Sequence, residues 1–353
     1  MVTNINNRSR QPKGTSKGGQ FAPETHETAP NDLDVGSKET EATIVERYPN
    51  GNLYSEQWRN SNGDLDRADG PACVSHYKGG GISREEWWKN GTLDRIGGPA
   101  ETHYHSDGSV WEEFWCQNGV VHRDDGPAYT KYYEDGAISE EEWWQDGEEH
   151  RENGPAYITY FKNGATKTES WYQDNQQHRV GGPAVVEYGP DGAITSEEYL
   201  QDGKRHRTDG PAEIRYRPDG SVANEVWCKN GLRHRTDGPA STRYYEDSTP
   251  CLEEWWQDGE LHRGGAPAAT FYRPDGTIES EQWWQHGDLH RTDGPAVTKY
   301  NPDGTIKFEE YWRNGSSDRA GGPAYVSYNP DGTIKREEWW QDGEEITPPD
   351  TPK

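Results

Sequence analysis

The chain has little apolar material for its length. Hydrophobic residues make up 29% of its 353 residues, well below the roughly 45–50% of ordinary globular domains, so a large conventional core is excluded. No apolar run approaches the roughly 18 residues that a membrane-spanning helix needs, and the N-terminus carries no apolar stretch of a secretory signal. These absences predict a cytoplasmic protein without a membrane association.

Basic residues and cysteines are also scarce. The chain has 37 Lys and Arg against 63 Asp and Glu, a net charge of -26. Because phosphate binding needs basic residues clustered on one face, a direct nucleic-acid partner is not expected. Four cysteines without a Cys-x-x-Cys argue against a disulfide or zinc framework, and no cofactor is predicted. The chain is instead rich in rings, with 16 Trp and 20 Tyr, more than a disordered chain carries.

A repeat of 28 residues organises the chain. The dipeptide Pro-Ala recurs ten times at this spacing, from Pro71 to Pro323, which is typical of a tandem array. Counted from each proline as position 0, all ten copies carry Ala at +1, Glu at +14, an aromatic residue at +16 and Arg at −4. An atypical copy precedes them. We therefore expect eleven units over 42–346, between a disordered, basic-then-acidic leader at 1–41 and a flexible tail at 347–353.

Short strands fit each unit, whereas helices do not. Turn pairs such as Asp303-Gly304 at +8/+9 and Asn230-Gly231 at +19/+20 cut each unit into segments of at most ten residues, rich in Tyr, Ile, Val, Thr and Trp. Asn-Gly and Asp-Gly favour the two-residue type I′ hairpin turn, because both residues tolerate positive φ. The sequence predicts an all-β fold, an elongated array of tandem β-hairpins in a single-layer sheet or solenoid, and a monomer.

The motifs Tyr-x-x-Asp-Gly, Glu-x-Trp-Trp-x-Asp-Gly and His-Arg-x-Asp-Gly-Pro-Ala resemble the MORN-type repeat, especially its bacterial and viral variants. The resemblance covers 42–346, although the unit is longer than the usual one and lacks its Gly-x-Gly core. It implies a sheet of hairpins and roles in scaffolding, in lipid contact or, for some bacterial relatives, as antitoxins. The acidic charge argues against lipid contact. The segment 7–23 resembles an N-terminal element of actinobacterial and phage proteins, which implies lineage.

The invariant positions are interpreted as structural. Ten Glu at +14 and ten Arg at −4 predict a periodic ion-pair ladder, and the +16 aromatics are expected to form the core. Histidines at −5, from His122 to His290, are expected to cap a turn or to stack on the +16 ring, since equivalent residues about 10 Å apart cannot converge on one metal. A pH-sensitive zone is the alternative. The representative structural residues are Glu141, Trp143, Arg151, Arg207, Glu253, Trp255 and Arg291.

The freer +17 position favours a binding surface, because residues selected for packing alone should vary less. The acids at +13 and +15, namely Glu140, Glu142, Glu254, Glu310 and Glu338, are surplus to the proposed ladder and are expected to be solvated. Every conspicuous polar residue recurs with the period, so no unlike catalytic constellation is found and an enzyme is not expected. The candidate interaction surface consists of Trp88, Trp144, Trp256, Trp284, Trp312, Trp340, Glu142, Glu254 and Glu338.

The charge, the repeat pattern and the resemblance are compatible with three functions. The first is a binding or scaffold protein whose acidic, aromatic surface engages a basic protein partner by multivalent contacts. The second is a DNA mimic that inhibits a nucleic-acid-binding defence enzyme by presenting carboxylates at regular intervals. The third, implied by the resemblance, is an antitoxin-like protein.

Overall fold

The computed structural model describes residues 42–348, which fall into two compact units. The first unit runs to residue 120 and includes 129–139 and 162–164, and the second contains 121–128, 140–161 and the residues from 165 onward. The leader predicted at 1–41 and most of the tail predicted at 347–353 lie outside the described residues. Throughout 42–348 the regular structure is β and no helix occurs, which confirms the all-β prediction. It follows that no helix in this part of the chain could cross a bilayer.

Each repeat contributes a first strand at +2 to +5 and a second strand at +11 to +15, which together supply 22 strands of antiparallel sheet. The β-branched and aromatic residues between the turns favour this extended backbone. The first strands are Ile44–Arg47, Cys73–His76, Glu101–Tyr104, Tyr129–Tyr132, Tyr157–Tyr160, Val185–Tyr188, Glu213–Tyr216, Ser241–Tyr244, Ala269–Tyr272, Val297–Tyr300 and Tyr325–Tyr328. The second strands are Leu53–Gln57, Ile82–Glu86, Val110–Phe114, Ile138–Glu142, Thr166–Ser170, Ile194–Glu198, Val222–Val226, Pro250–Glu254, Ile278–Gln282, Ile306–Glu310 and Ile334–Glu338.

After each second strand from Ile82–Glu86 onward, the chain forms a separate two-stranded hairpin of two residues on each side, here called the short hairpin. The ten short hairpins pair Trp88–Lys89 with Thr92–Leu93, Cys116–Gln117 with Val120–Val121, Trp144–Gln145 with Glu148–Glu149, Tyr172–Gln173 with Gln176–Gln177, Leu200–Gln201 with Lys204–Arg205, Cys228–Lys229 with Leu232–Arg233, Trp256–Gln257 with Glu260–Leu261, Trp284–Gln285 with Asp288–Leu289, Trp312–Arg313 with Ser316–Ser317 and Trp340–Gln341 with Glu344–Glu345.

Within each compact unit, neighbouring strands pair in chain order, so the register is the same from one repeat to the next. In the second compact unit, Ile214 pairs with Glu225 of its own repeat, and Glu225 pairs in turn with Thr242 of the following repeat. Glu225, at +14, therefore lies between two +3 residues. The +3 residues are buried, as Val186 and Val326 show with 4% and 3% exposure.

The two turns of a repeat differ in geometry. Asn230 and Gly231 both have positive φ, 53° and 86°, which confirms the type I′ turn predicted at +19/+20. At +8/+9 the same prediction is wrong, because only Gly304 has positive φ and the Asn301 N–H donates to the Thr305 carbonyl at 2.8 Å. This is a longer hairpin loop that ends in a left-handed glycine, and the Asp303 carboxylate accepts the Thr305 N–H at 3.0 Å.

The core is thin and depends on small residues. The alanine after the proline is fully buried in all ten copies, because the backbones of adjacent repeats approach each other there. In the second unit, the Ala212 N–H donates to the Val226 carbonyl at 2.8 Å, and the Ala212 carbonyl accepts the Tyr199 N–H at 2.8 Å. A larger side chain at +1 would separate these backbones, which explains why Ala never varies.

Candidate interaction surface

The invariant arginine at −4 covers the aromatic ring at +16 of the preceding repeat. The Arg151 guanidinium carbon lies 3.9 Å from the centre of the Trp143 ring, and Arg151 Nη1 donates to the Pro155 carbonyl at 3.2 Å. A guanidinium over an indole is a cation–π contact. The same stacking joins Arg67 to Trp58, Arg95 to Trp87, Arg179 to Trp171, Arg207 to Tyr199, Arg235 to Trp227, Arg263 to Trp255, Arg291 to Trp283 and Arg319 to Tyr311.

The invariant glutamate at +14 accepts a hydrogen bond from the tyrosine at +5 of the next repeat. Tyr160 donates to Glu141 at 2.5 Å, and Tyr272 donates to Glu253 at 2.8 Å. Burial raises the pKa of Glu141, whereas the hydrogen bond from Tyr160 and the charge of Arg151 lower it. The remaining pairs are Tyr104 with Glu85, Tyr132 with Glu113, Tyr188 with Glu169, Tyr216 with Glu197, Tyr244 with Glu225, Tyr300 with Glu281 and Tyr328 with Glu309.

The ion-pair ladder predicted between these two positions is therefore replaced by two other ladders. The arginine directs its planar face to an aromatic ring, and where Asp stands at −2 its Nε binds that carboxylate, as Arg207 does with Asp209 at 2.9 Å. The glutamate directs its oxygen to a phenol instead. In Arg151 and Glu141 the two charges still stabilise each other through space, but the direct partner of each is a different side chain.

Six of the seven −5 histidines cap the tight +19/+20 turn of their own repeat, 24 residues further along the chain. The backbone N–H of Asn230 donates to His206 Nδ1 at 3.2 Å, and the N–H of Asp258 donates to His234 Nδ1 at 3.1 Å. Where Asp replaces His at −5, a carboxylate takes over, since Asp94 accepts the Asn118 N–H at 3.0 Å. This is the capping arrangement expected from the sequence. The −5 and +16 residues are also paired through the backbone, because the His150 N–H donates to the Trp143 carbonyl at 3.0 Å. The Trp143 ring, however, stacks on Arg151 and not on the histidine.

In four repeats the +15 and +17 side chains lie side by side and are joined by a hydrogen bond. The Trp144 indole N–H donates to Glu142 at 2.7 Å, because residues two apart on an extended chain share a face. The same bond joins Trp312 to Glu310 at 3.1 Å and Trp340 to Glu338 at 3.4 Å. In one repeat a glutamine accepts instead, since Trp284 donates to Gln282 at 3.1 Å.

The +15 carboxylates are not solvated, contrary to the sequence-based expectation. The Glu254 side chain is only 15% exposed and the Glu338 side chain 25%. Burial, with the nearby charges of Glu149 and Glu140, raises the pKa of Glu142 to about 7, against the opposing hydrogen bond from Trp144. The expectation failed because it considered only that the +15 acids are surplus to the ladder, whereas the adjacent short hairpin covers +15 with the +17 ring.

The +17 side chains divide into small buried residues and half-buried rings. Cys116, Leu200 and Cys228 are 4–6% exposed. The four consecutive repeats from 256 onward carry only tryptophan at this position: Trp256, Trp284, Trp312 and Trp340, and Trp88 and Trp144 are the other tryptophans at +17. Arg233 lies 5.0 Å from the centre of the Trp256 ring, so this indole already holds a cation.

The described residues offer few groups suited to catalysis or to metal binding. Within 42–348 no group of three or more His, Cys, Asp and Glu is placed to hold a metal ion. Burial raises the pKa of the Cys116 thiol to about 11 and, together with the Glu86 charge, that of Cys73 to about 11. A thiol with so high a pKa is a poor nucleophile.

Comparisons with known proteins found no matching family model and no matching curated protein. Among solved structures, the chain is similar to choline binding protein F from Streptococcus pneumoniae, with 13% identity over 87% of this chain and 100% of that chain and a TM-score of 0.20. It is also similar to a TcdB2-TccC3 structure, with 11% identity over 86% of this chain and 20% of that one and a TM-score of 0.12. The Photorhabdus luminescens Tc holotoxin pore gives 12% identity, coverages of 85% and 19% and a TM-score of 0.12. TM-scores this low support no inference about function.

Proposed function

We propose that this chain is a non-enzymatic binding scaffold that engages a basic protein partner through its +15 carboxylates and +17 indoles. The observation that carries the proposal is the hydrogen-bonded pair of Glu142 and Trp144, which recurs at Glu310 with Trp312 and at Glu338 with Trp340. A carboxylate fixed beside an indole offers a lysine or arginine side chain an ion pair and a cation–π contact together.

The contrast between repeat positions that are fixed by internal packing and the variable +17 position supports this proposal. The residues at −5, −4, +1, +5, +14 and +16 have partners inside the array, so their identity follows from packing. The +17 position is free to vary between cysteine, leucine, tyrosine and tryptophan, and a periodic surface allows several weak contacts to add into one strong one. A net charge of -26 favours a basic partner. Membership of the MORN-type repeats, a monomeric state and a cytoplasmic location belong to the same proposal.

A DNA mimic is the second candidate, and an antitoxin-like role is a special case of protein binding. The +15 residue is a glutamate in alternate repeats from Glu86 to Glu310, about every 20 Å, and again at Glu338. Regular negative charge is what a DNA-binding enzyme recognises in a duplex. Competition with duplex DNA distinguishes the two candidates. Duplex DNA should displace a mimic from its target enzyme and leave a scaffold bound to a partner that does not bind DNA.

The test uses the full chain as bait and the affinity of the captured, purified partner as the readout. We expect affinity to fall steeply once NaCl rises past about 0.15 M, where the Debye length is about 8 Å. Duplex DNA added at low salt then distinguishes the two candidates. A partner whose affinity is indifferent to salt would contradict both.

A further inference from the structure

A cleft separates the Trp312 and Trp340 indoles in the second compact unit. Its volume is about 390 Å³, and Tyr325, Glu310 and Glu338 also line it. Small-molecule sites commonly measure about 300–1,000 Å³. The cleft therefore combines three aromatic rings with two carboxylates in a space of ligand size.

Ser317 opens this cleft. It pairs directly with Trp312 across the short hairpin, and at the same place in the preceding repeats Leu289 faces Trp284 and Leu261 faces Trp256. A leucine fills space that a serine leaves empty. From the first short hairpin onward, the earlier repeats carry Leu93, Val121, Glu149, Gln177, Arg205, Arg233, Leu261 and Leu289 at this position.

The charge of the cleft is negative. The indole N–H of Trp312 holds the Glu310 carboxylate at 3.1 Å, and that of Trp340 holds Glu338 at 3.4 Å. Arg336 binds Glu338 at 2.6 Å, but the Arg336 side chain is 69% exposed. Water screens the charge of the exposed Arg336 guanidinium, so Arg336 offsets only part of the Glu338 charge, and Glu310 retains its own.

Aromatic walls and fixed carboxylates select one class of ligand. They repel anions, and a neutral apolar ligand would leave the carboxylates without a role. An ammonium with N–H groups loses strong hydration when it enters an aromatic cleft, whereas a methylated ammonium spreads its charge over methyl groups that pack on rings. We propose that the cleft between Trp312 and Trp340 is a binding site for a methylated ammonium group. The site uses two of the indole–carboxylate pairs that the proposed scaffold function assigns to a partner, but its test with choline does not require that partner.

The direct test is isothermal titration calorimetry of the full chain with choline, at constant ionic strength. Its uncharged carbon analogue, 3,3-dimethylbutanol, has the same shape without the charge and serves as the matched probe. We expect saturable binding of choline and at least about fivefold weaker binding of the analogue. Equal binding of the two, or no binding of choline, would overturn the proposal.

Two variants assign the binding to this cleft. Ser317→Leu introduces the side chain that positions 261 and 289 already carry, so we expect the fold to persist and the affinity for choline to fall about tenfold or more. Glu310→Gln keeps the shape and should weaken binding about fivefold. The matched control is Ser106→Leu at an exposed turn position, which should leave affinity unchanged. Undiminished binding by Ser317→Leu with an unaltered circular dichroism spectrum would refute the assignment.

A second titration, with trimethyllysine and unmodified peptides, identifies the source of the ammonium group. A trimethyllysine peptide that binds more tightly than choline, with no binding of the unmodified peptide, indicates a side chain of a protein partner. Choline that binds while the peptide does not indicates a free small molecule. Both outcomes support the cleft as the binding site. In both cases the Ser317→Leu variant is the negative control.

Discussion

The guanidinium carbon of Arg235 lies 3.9 Å from the centre of the Trp227 ring, and Arg235 Nη1 donates to the Pro239 carbonyl at 3.3 Å. This contact joins the end of one repeat's hairpins to the loop that begins the next. Because repeat proteins gain stability from nearest-neighbour interfaces, the pair explains why −4 is always arginine and +16 is always aromatic. Its strength depends on the planar guanidinium.

Replacement of Arg235 by lysine should therefore destabilise the array although the charge remains. A lysine loses the planar stack and the fork that binds the Asp237 carboxylate and the Pro239 carbonyl together. We expect a loss of about 1–2 kcal/mol in unfolding free energy, measured by urea denaturation. Arg243→Lys at an exposed position is the control, and equal losses for the two variants would contradict this role.

Gly231→Val should weaken the array locally. Gly231 has φ of 86°, a conformation that costs an ordinary residue about 1–2 kcal/mol and a β-branched one more. Its added Cβ would meet only Lys204 at 3.7 Å, so the cost lies in the backbone. Gly231→Asn should cost less, because Asn175 occupies the same turn position with φ of 58°. Thermal unfolding that ranks Asn at or below Val would count against the type I′ turn.

His206→Leu should cost at most about 1 kcal/mol, because the exposed turn N–H of Asn230 loses its acceptor and bonds to water instead. His206→Asp should cost little, since Asp94 accepts the Asn118 N–H in the same way. Denaturant unfolding of both variants checks the order. If aspartate proves as destabilising as leucine, the histidines stabilise by packing and not by capping.

The sequence was sufficient where local chemistry decides and insufficient where the partner comes from another repeat. Asn230 and Gly231 determine their turn by themselves, so their conformation was predictable. The equal numbers of Arg at −4 and Glu at +14 do not reveal the register of the strands. It is the register that places Tyr160 beside Glu141 and Arg151 over Trp143. The tyrosine donor was missed for this reason. The spacing of two between Glu142 and Trp144 was the available signal for the pair on the shared face.

The elevated pKa of Glu142 predicts a specific pH dependence of stability. Its pKa rises from 4.5 to about 7 in the folded state, so between these values the unfolded chain is ionised while the folded chain keeps its proton. Stability should fall as pH rises from about 4.5 to about 7 and change little beyond. Glu142→Gln removes this term and keeps an acceptor for Trp144, as Gln282 does for Trp284. Melting curves should show the variant more stable than the wild type at pH 8 and nearly equal at pH 4.5, whereas a constant difference across pH would contradict the shift.

The most direct measurement of the binding account compares two triple variants at pH 8, where Glu142 is ionised and both variants remove nearly the same charge. One carries Glu142→Gln, Glu254→Gln and Glu338→Gln on the +15/+17 surface. The other carries the same replacement at three exposed acids elsewhere: Glu134, Glu152 and Glu246. With the purified partner at low salt, we predict that the surface variant binds at least about tenfold more weakly than wild type and that the control stays within about twofold. Equal losses would show that net charge alone attracts the partner and would contradict a specific acidic-aromatic surface.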